Sequence, residues 1–395
     1  MANIQPRGKN SYFFTVYAKN PYTGKNERKT MTYKVEEKMS PKKLDVHLLV
    51  EYEKFAELVR SGEFFTPQKI TVDDFASLWI ANYLETLEGA SYNAHTSKYK
   101  HHVKPVLGDK QITAIKSMDL IRLLADLKRV DDPDNPLSIR SKQDIYLTLK
   151  SIFKFAVQWE FIKNNPMDKV DKPQQKSAPR RTLNYYDEEE VNNLFLLAEK
   201  ELPHWKVFIV LLLTTGLRRG EALGIEWKDI DLQEGTIDIN KSITMGKNGI
   251  PVIKSTKSTS SDRLVSLPKF VTKELKNYRK HWLQQKEDNE DVWIEEDREW
   301  MICGSDGTHF YPTTPTTYWR RLTKKANVRH IRLHDLRHTS ATLLIAQGIH
   351  AKIISERLGH KKISTTMDIY GHALRSADRA AADSFDNFFA EKKSI

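Results

Sequence analysis

Thr215-Gly216-Leu217-Arg218-Arg219-Gly220-Glu221 is the stretch that decides how the C-terminal half of this 395-residue chain is interpreted. It directly follows the apolar run 208–213, which is typical of a buried helix. Two arginines after a glycine at such a helix end are unusual for packing alone, because a buried guanidinium needs a partner. Glu221 lies three residues after Arg218 and can hold it. A surface arginine pair is the alternative interpretation of this stretch.

Two more polar clusters follow along the chain. Lys257 lies in a polar turn at residues 256–263, ahead of a strand-like segment, where a lysine is usually only solvated. His334 and Arg337 belong to Leu-His-Asp-Leu-Arg-His at 333–338. Their spacing of three residues puts them on one helical face, although a capped helix start would explain the same pattern.

A last cluster stands near the C-terminus. His360 follows Leu-Gly at 358–359, and Tyr370 precedes Gly371 in the segment 367–372. A tyrosine is usually a core or interface residue. Beside a glycine and a polar rim, Tyr370 is a candidate for an exposed and reactive side chain.

Positive charge is concentrated at the N-terminus. Residues 1–43 carry ten Lys and Arg against three acids, a net +7 of the formal +11 of the whole chain. Such an excess indicates a polyanionic partner, most simply nucleic acid. The only cysteine, Cys303, excludes a disulfide framework and a cysteine-based zinc site. No apolar run is long enough to cross a bilayer and the N-terminus lacks a signal-peptide core, so we expect a cytoplasmic protein without a membrane partner.

The N-terminal segment, 1–66, is expected to form a small β-sheet with a helix. Residues 11–19 and 28–35 are rich in aromatic and β-branched side chains, with turn residues between them. Ser-Pro at 40–41 then begins a helix. Basic side chains on the strands make the sheet a candidate DNA-binding surface, and a solvated hairpin is the alternative. The candidate contacts are Arg28, Lys29 and Lys34.

Residues 67–168 are expected to form a four-helix domain, because apolar residues recur there at helical spacing. A basic linker at 169–181 leads to a third domain, 182–395, of mixed but mainly helical structure with a small antiparallel sheet. The predicted fold class is therefore multidomain α+β. Further candidate DNA contacts are Lys98, Lys100 and Lys104 in the helical domain and Lys172, Arg180 and Arg181 in the linker.

Together and in this order, TGLRRGE, TKSTSSDR, HDLRH, LGH and Tyr370 resemble the tyrosine recombinase (phage integrase) family. The resemblance covers the whole third domain. The layout upstream is similar to integrases of phages and conjugative transposons, in which a core-binding helical domain follows an N-terminal arm-site-binding domain. The resemblance thus implies a site-specific recombinase that integrates and excises a mobile element or prophage.

The resemblance implies that Tyr370 is the nucleophile that attacks a scissile phosphodiester. Its phenol has an ordinary pKa of roughly 10, so it must lose its proton during the attack. Arg218 and Arg337 would clamp the non-bridging oxygens, for which a planar guanidinium is suited. They would stabilise the charge that grows in the transition state.

The other matched residues would complete the chemistry. Lys257 would donate a proton to the leaving 5′ oxygen. His334 would act as acid and base toward the tyrosine or hydrogen-bond the phosphate, and His360 would hydrogen-bond a non-bridging oxygen. Glu221 would orient Arg218.

The product implied is a 3′-phosphotyrosyl bond and a free 5′ hydroxyl, reached without a metal, a cofactor or ATP. Recombining two duplexes through a Holliday junction needs four active sites, so a homotetramer on double-stranded DNA is expected at core and arm sites. An excisionase and a host DNA-bending protein are the expected further partners, and the bacterial nucleoid is the expected location. A C-terminal apolar helix face is expected to dock on a neighbouring protomer or on its own domain: Ala381, Phe385, Phe388 and Phe389.

Three other functions remain open from the residues. A type IB topoisomerase would share the chemistry but relax supercoils as a monomer. A metal-dependent phosphohydrolase could use a histidine and carboxylate cluster made of His334, Asp335, His338, His360 and His372. A catalytically inactive DNA-binding architectural protein is the third.

Overall fold

The structure is a computed structural model that describes residues 2–8, 10–20, 24, 26–36, 39–62, 64, 70–174, 184–255, 262–294, 297–360, 362–364 and 366–367. The chain divides into two compact units, Met1–Ala178 and Pro179–Ile395. Four of the predicted site residues lie outside the described residues: Lys257, Tyr370, Arg180 and Arg181. The C-terminal segment 376–395 lies outside them as well.

The N-terminal unit begins with a three-stranded antiparallel sheet in the order β1-β2-β3. Its strands are β1 Asn3–Gly8, β2 Ser11–Lys19 and β3 Asn26–Lys34. Helix α1, Pro41–Arg60, packs on one face of the sheet. The apolar faces meet because residues in a strand alternate between the two sides. Residues at this contact include Phe14, Val16, Leu48, Phe55 and Val59.

A second, separate apolar core lies in the helical part of the same unit. Its helices are α2 Val72–Asn82, α3 Gly89–Lys98, α4 Lys104–Leu107, α5 Ser117–Ala125 and α6 Ile139–Gln158. A π-turn at Tyr99–Val103 joins α3 to α4, so the four predicted helices correspond to α2, α3 with α4, α5 and α6. Thr71 caps α2 through a capping box with Asp74, and the Ser138 hydroxyl accepts from a first-turn N–H of α6.

The C-terminal unit is mainly helical. Its helices are α7 Glu188–Ala198, α8 Pro203–Thr215, α9 Arg219–Leu223, α10 Lys269–Asp288, α11 Thr314–Lys325, α12 Asp335–Ala346 and α13 Ala351–Leu358. Two small antiparallel sheets complete it, β4-β5-β8 and β6-β7. Their strands are β4 Ile230–Asp231, β5 Thr236–Ile239, β6 Lys241–Met245, β7 Pro251–Ser255 and β8 Arg263–Ser266.

Helix α8 is the centre of the C-terminal unit. It contacts α7, α10 and α12, and its residues Val207–Leu213 are all buried. A helix that is apolar on all sides is stable only when other elements surround it. The C-terminal end of α8 and the N-terminal end of α12 lie close together, because Arg337 in α12 donates to the carbonyl of Gly216, which ends α8.

The predicted multidomain α+β class is confirmed, with small antiparallel sheets in both units. Strand β1 was not among the strands expected in the N-terminal segment. Within the part of the chain that the structure describes, no helix is both long and apolar enough to cross a bilayer.

Candidate active site

Arg218 is placed by a reversal of the chain after α8. Gly216 ends α8 in the left-handed region at φ 66°, and Arg218 then caps the short helix α9. The Arg218 side chain is 40% exposed. Its Nη1 donates to Glu221 Oε1 at 2.6 Å and its Nη2 to the Gly359 carbonyl at 3.0 Å. The guanidinium is thus held on one side and open on another.

Glu221 is a buried carboxylate with two arginine partners. Besides Arg218, it accepts from Arg263 Nη2 at 2.8 Å, and its residue exposure is only 3%. Burial alone would raise the pKa of Glu221, but the hydrogen bond and charge of Arg263 and the charge of Arg218 lower it below its usual value. The carboxylate is therefore ionised at neutral pH and fixes both guanidinium groups.

Arg337, in the first turn of α12, is almost fully buried, with 3% exposure. Its Nη1 donates to the Gly216 carbonyl at 2.7 Å, while its buried Nη2 has no hydrogen-bond partner among the described residues. Burial, together with the positive charge of Arg218, lowers the pKa of Arg337 to about 9. The Arg337 guanidinium is therefore still protonated at neutral pH. Its Nη2 can donate a hydrogen bond to a bound ligand.

His360 follows the C-terminal end of α13, where Gly359 adopts φ 66°. Its Nδ1 lies 2.8 Å from the Thr366 hydroxyl. Burial, and then the charges of Arg337 and Arg218, lower the pKa of His360 to about 4. The imidazole is therefore neutral at physiological pH and can offer a hydrogen bond without charge.

His334 occupies the position just before α12, three residues from Arg337. Burial lowers its pKa, and the neighbouring His338 and Arg337 lower it further. The rings of His334 and His338 pack edge to face, with centroids 5.5 Å apart. The buried Asp335 accepts side-chain hydrogen bonds from Nε and Nη2 of Arg332, which fixes the start of the helix.

The site as a whole has an excess of buried positive charge. The charges of Arg218 and Arg263 add to burial in lowering the pKa of Arg337, and the charge of Arg263 does the same for Arg357. Four arginines thus share this site with the carboxylate of Glu221. These arginines are Arg218, Arg263, Arg337 and Arg357. Buried cations without sufficient counter-charge are costly unless an anion joins them. The arrangement therefore suits a tetrahedral anion such as a phosphate, held by planar guanidinium groups.

The structure brings Arg218, Glu221, Arg337, His334 and His360 close enough for their charges to influence one another, and their catalytic roles stay predictions. Lys257 and Tyr370 lie outside the described residues, so their placement is not part of this geometry. Among the described residues, no three His, Cys, Asp or Glu side chains are grouped to hold a metal ion.

The predicted DNA contacts on the N-terminal sheet fall on two faces. Arg28 pairs with Tyr17, and Lys34 with Ser11, on the face away from α1, and both basic residues are exposed. Lys29 pairs with the buried Val16 and forms an ion pair with Glu27 at 2.7 Å. Because side chains alternate along a strand, Lys29 does not share the face of Arg28 and Lys34, and a DNA contact through any of the three stays a prediction.

The candidates in the helical part differ in their contacts. Lys100 and Lys172 are exposed. Lys104 forms an ion pair with Asp73 at 2.8 Å, and Lys98 donates to the Ala94 carbonyl at 3.4 Å. These four remain predictions as DNA contacts.

Arg263, like Arg357, is a residue at this site to which the sequence analysis gave no role. Its side chain is 8% exposed, and it is the second partner of Glu221. The signal was present, since Arg263 stands six residues after Lys257 in the matched pattern. The separation of 42 residues from Glu221 hid the contact.

Each of the two compact units contains a region that matches a known protein family. Residues 184–376 match the Phage integrase family, and residues 71–128 match the N-terminal SAM-like domain of phage integrases.

Relatives among characterised proteins agree. The ICEBs1 integrase of Bacillus subtilis (strain 168) is 33% identical over 64% of this chain, a match that spans 66% of that protein, just under two thirds. A XerC-like tyrosine recombinase of Caldanaerobacter subterraneus subsp. tengcongensis is 24% identical over 98% of both chains. The transposase from transposon Tn916 of Enterococcus faecalis is 25% identical over 74% of this chain and 69% of its own.

Solved structures share the fold. The integrase of transposon Tn1549, in complex with transposon right-end DNA, superposes with a TM-score of 0.62 at 20% identity, over 80% of this chain and 99% of that one. A lambda integrase tetramer bound to a Holliday junction gives 0.54 at 18% identity, over 93% and 94%. Since the family domains, the relatives and the fold agree with the site built from the residues, this chain belongs to the phage integrase family of tyrosine recombinases.

Proposed function

We propose that this chain is a site-specific DNA recombinase that integrates and excises a mobile element. The observation that carries the proposal is the buried Nη2 of Arg337, which has no hydrogen-bond partner among the described residues and lies near the positive charge of Arg218. A phosphodiester between these two guanidinium groups would accept a hydrogen bond from that Nη2.

In the proposed reaction, the Tyr370 Oη attacks the scissile phosphorus and loses its proton. A bond forms between Oη and phosphorus, and the bond from phosphorus to the 5′ oxygen breaks. The 5′ oxygen takes up a proton and leaves as a hydroxyl, and the 3′ end stays attached to the tyrosine. Rejoining reverses these steps with a 5′ hydroxyl of the second duplex.

Arg218 and Arg337 would hold the two non-bridging oxygens while negative charge grows on them. His360, neutral with a pKa of about 4, would donate a hydrogen bond to one of them. His334, whose pKa is also lowered, is suited to accept the Tyr370 proton or to hydrogen-bond the phosphate. Lys257 would protonate the leaving 5′ oxygen.

Neither a metal ion nor ATP takes part in this scheme. The arginines supply the charge that a divalent cation would otherwise supply. The phosphodiester is exchanged for a phosphotyrosyl ester of similar energy, so rejoining needs no external energy source.

We assign residues 1–66 to arm-site binding, 67–168 to core-site binding, 169–181 to a linker and 182–395 to catalysis. The lambda integrase with a similar fold forms a tetramer bound to a Holliday junction, and we propose the same oligomeric state for this chain. The segment 376–395 would link neighbouring protomers. An excisionase and a host DNA-bending protein would direct the reaction at the bacterial nucleoid.

The test uses a nicked duplex that carries the junction of the circular form of the element encoding this chain. Wild-type protein should form a covalent DNA adduct, located by mass spectrometry at Tyr370, in EDTA and without ATP. Tyr370→Phe is the matched control and should bind the duplex but form no adduct. An adduct at another residue, or none with wild type, would refute the proposal.

A type IB topoisomerase is the alternative to exclude. It would relax a supercoiled plasmid that lacks the junction sequence, as a monomer. The recombinase should relax such a plasmid far more slowly than one carrying the junction.

A further inference from the structure

We propose that Arg263 is a positioning residue that sets Arg218 and His360 in one fixed arrangement. The inference rests on the proposed function, because it concerns the same site. Arg263 begins strand β8, and its side chain is 8% exposed.

The first contact of Arg263 is with the carboxylate that also holds Arg218. Arg263 Nη2 donates to Glu221 Oε2 at 2.8 Å, and its Nη1 lies 3.4 Å from Oε1. Arg218 Nη1 donates to the same Oε1 at 2.6 Å. The guanidinium groups of Arg218 and Arg263 thus donate to the same buried carboxylate, and the position of each depends on the other.

The second contact is with the end of α13, directly before His360. Arg263 Nε donates to the Arg357 carbonyl at 2.8 Å. This carbonyl lies in the last turn of the helix, where carbonyl groups lack intrahelical donors and favour positive charge. A Cβ added at Gly359 would lie 2.9 Å from Arg263 Nη1, so the glycine backbone packs directly against the guanidinium.

Arg218 also reaches this helix end, because its Nη2 donates to the Gly359 carbonyl at 3.0 Å. The contacts therefore close a ring from Arg218 to Glu221, to Arg263, to the end of α13 and back to Arg218. His360 directly follows Gly359 in the chain, so its position depends on the same set of contacts. Arg263 is the one member that joins the carboxylate to the helix end without facing solvent.

Arg263 acts through these partners rather than on the phosphate. Each of its three side-chain nitrogens makes at least one hydrogen bond to Glu221 or to the Arg357 carbonyl. A lysine could reach one of these acceptors but could not match both with a planar fork. Arg263→Lys should therefore keep the charge and lose the arrangement.

The experiment compares full-length Arg263→Lys with wild type on the nicked duplex described above. Arg298→Lys is the matched control, since Arg298 also donates to a buried carboxylate, Glu226, at 3.1 Å. Three quantities are measured: the rate constant of adduct formation at saturating protein, the Kd for the duplex, and the His360 signal in NMR spectra of 13C-histidine-labelled protein.

For Arg263→Lys we expect the rate constant to fall about 100-fold, as misplaced catalytic groups do. The Kd should stay unchanged and the His360 signal should shift. Arg298→Lys should change neither the rate constant nor the His360 signal. A wild-type rate in Arg263→Lys, or an equal loss in both variants, overturns the positioning role.

Gly359→Ala provides a second variant in case Arg263→Lys does not fold. Its Cβ would push on the guanidinium of an intact Arg263, and the same loss of rate with unchanged Kd is expected. The proposed function fails separately, if wild type forms no adduct. In that case the His360 signal still decides the positioning role, because an unshifted signal in a folded Arg263 variant contradicts it.

Discussion

Glu221 holds two guanidinium groups on one buried carboxylate, so its loss should destabilise the fold. Glu221→Gln keeps the shape but leaves Arg218 and Arg263 without a counter-charge. We expect the free energy of unfolding at pH 7 to fall by about 3 kcal/mol, the usual cost of breaking a buried ion pair from one side. Urea denaturation measures it.

The same residue predicts a pH dependence. Because the pKa of Glu221 is lower in the folded state, the ionised carboxylate stabilises the fold above its ordinary pKa of about 4.5. That contribution is lost as the pH falls through the folded-state value. The difference between wild type and Glu221→Gln should therefore shrink on acidification. A constant difference between pH 7 and pH 3 would contradict this prediction.

His360 gives a prediction about protonation. With its pKa lowered to about 4, the ring should stay neutral until well below the ordinary value near 6.5. An NMR titration should show this midpoint, with the signal assigned through His360→Asn. Adding the DNA duplex should raise the midpoint, because a bound phosphate favours the protonated ring. A midpoint near 6.5 in the free protein would contradict this prediction, because it would mean that the His360 ring is solvated.

At the scale of single residues, the sequence predicted the contact between Arg218 and Glu221, because side chains three residues apart at a helix lie at a fixed distance from each other. It could not predict the contact of Arg263 with Glu221, which depends on where β8 lies relative to α9. Nor could it show that the Nη2 of Arg337 is buried. Local spacing is encoded in the sequence, whereas long-range contacts depend on the packing of whole elements.

At the scale of elements, Gly216 controls how α8 passes into α9. Gly216→Ala would place a Cβ against the Leu358 side chain in addition to forcing an alanine to φ 66°. Gly348→Ala is the matched control, because its φ is 77° but its Cβ would meet no described atom within 4 Å.

We expect Gly348→Ala to cost about 1 kcal/mol, from the left-handed backbone alone. Gly216→Ala should cost about 1–3 kcal/mol more, from overpacking. Thermal unfolding measures both variants. Equal losses would mean that α13 can move away from α8 without cost.

The N-terminal sheet predicts a difference between its two faces. Arg28→Gln and Lys34→Gln should each lower the slope of log Kd against log salt for arm-site DNA by about 1, as the loss of one phosphate contact does. Lys29→Gln should leave the slope unchanged, because Lys29 lies on the α1 side and pairs with Glu27. Equal effects of all three substitutions would contradict the assignment of the faces.

The elements themselves were mostly predictable, with clear exceptions. Helices α2 and α6 begin behind side-chain caps at Thr71 and Ser138, and caps of this kind, like apolar periodicity, are local features that a sequence can reveal. Strand β1 was missed because Pro6 and a basic composition resemble a disordered N-terminus. The strand forms because its backbone pairs with the edge of β2 in antiparallel register.

At the scale of the whole molecule, the two compact units are joined by a segment near residue 178. The match to the SAM-like domain lies in the first unit, and the match to the integrase domain lies in the second. If both units bind the same core site, the chain that links them makes the second contact intramolecular. Linkage of this kind raises affinity without any new contact.

Separating the units should therefore weaken core-site binding strongly. An equimolar mixture of the fragments 1–178 and 179–395 should bind a core-site duplex about 100-fold more weakly than the intact chain, at the lower end of what linkage provides. Fluorescence anisotropy at fixed salt measures the Kd, and the isolated fragments serve as controls for folding and for single-unit affinity. If the mixture binds as tightly as the intact chain, the two units do not clamp one site, and the covalent link between them serves another purpose than affinity.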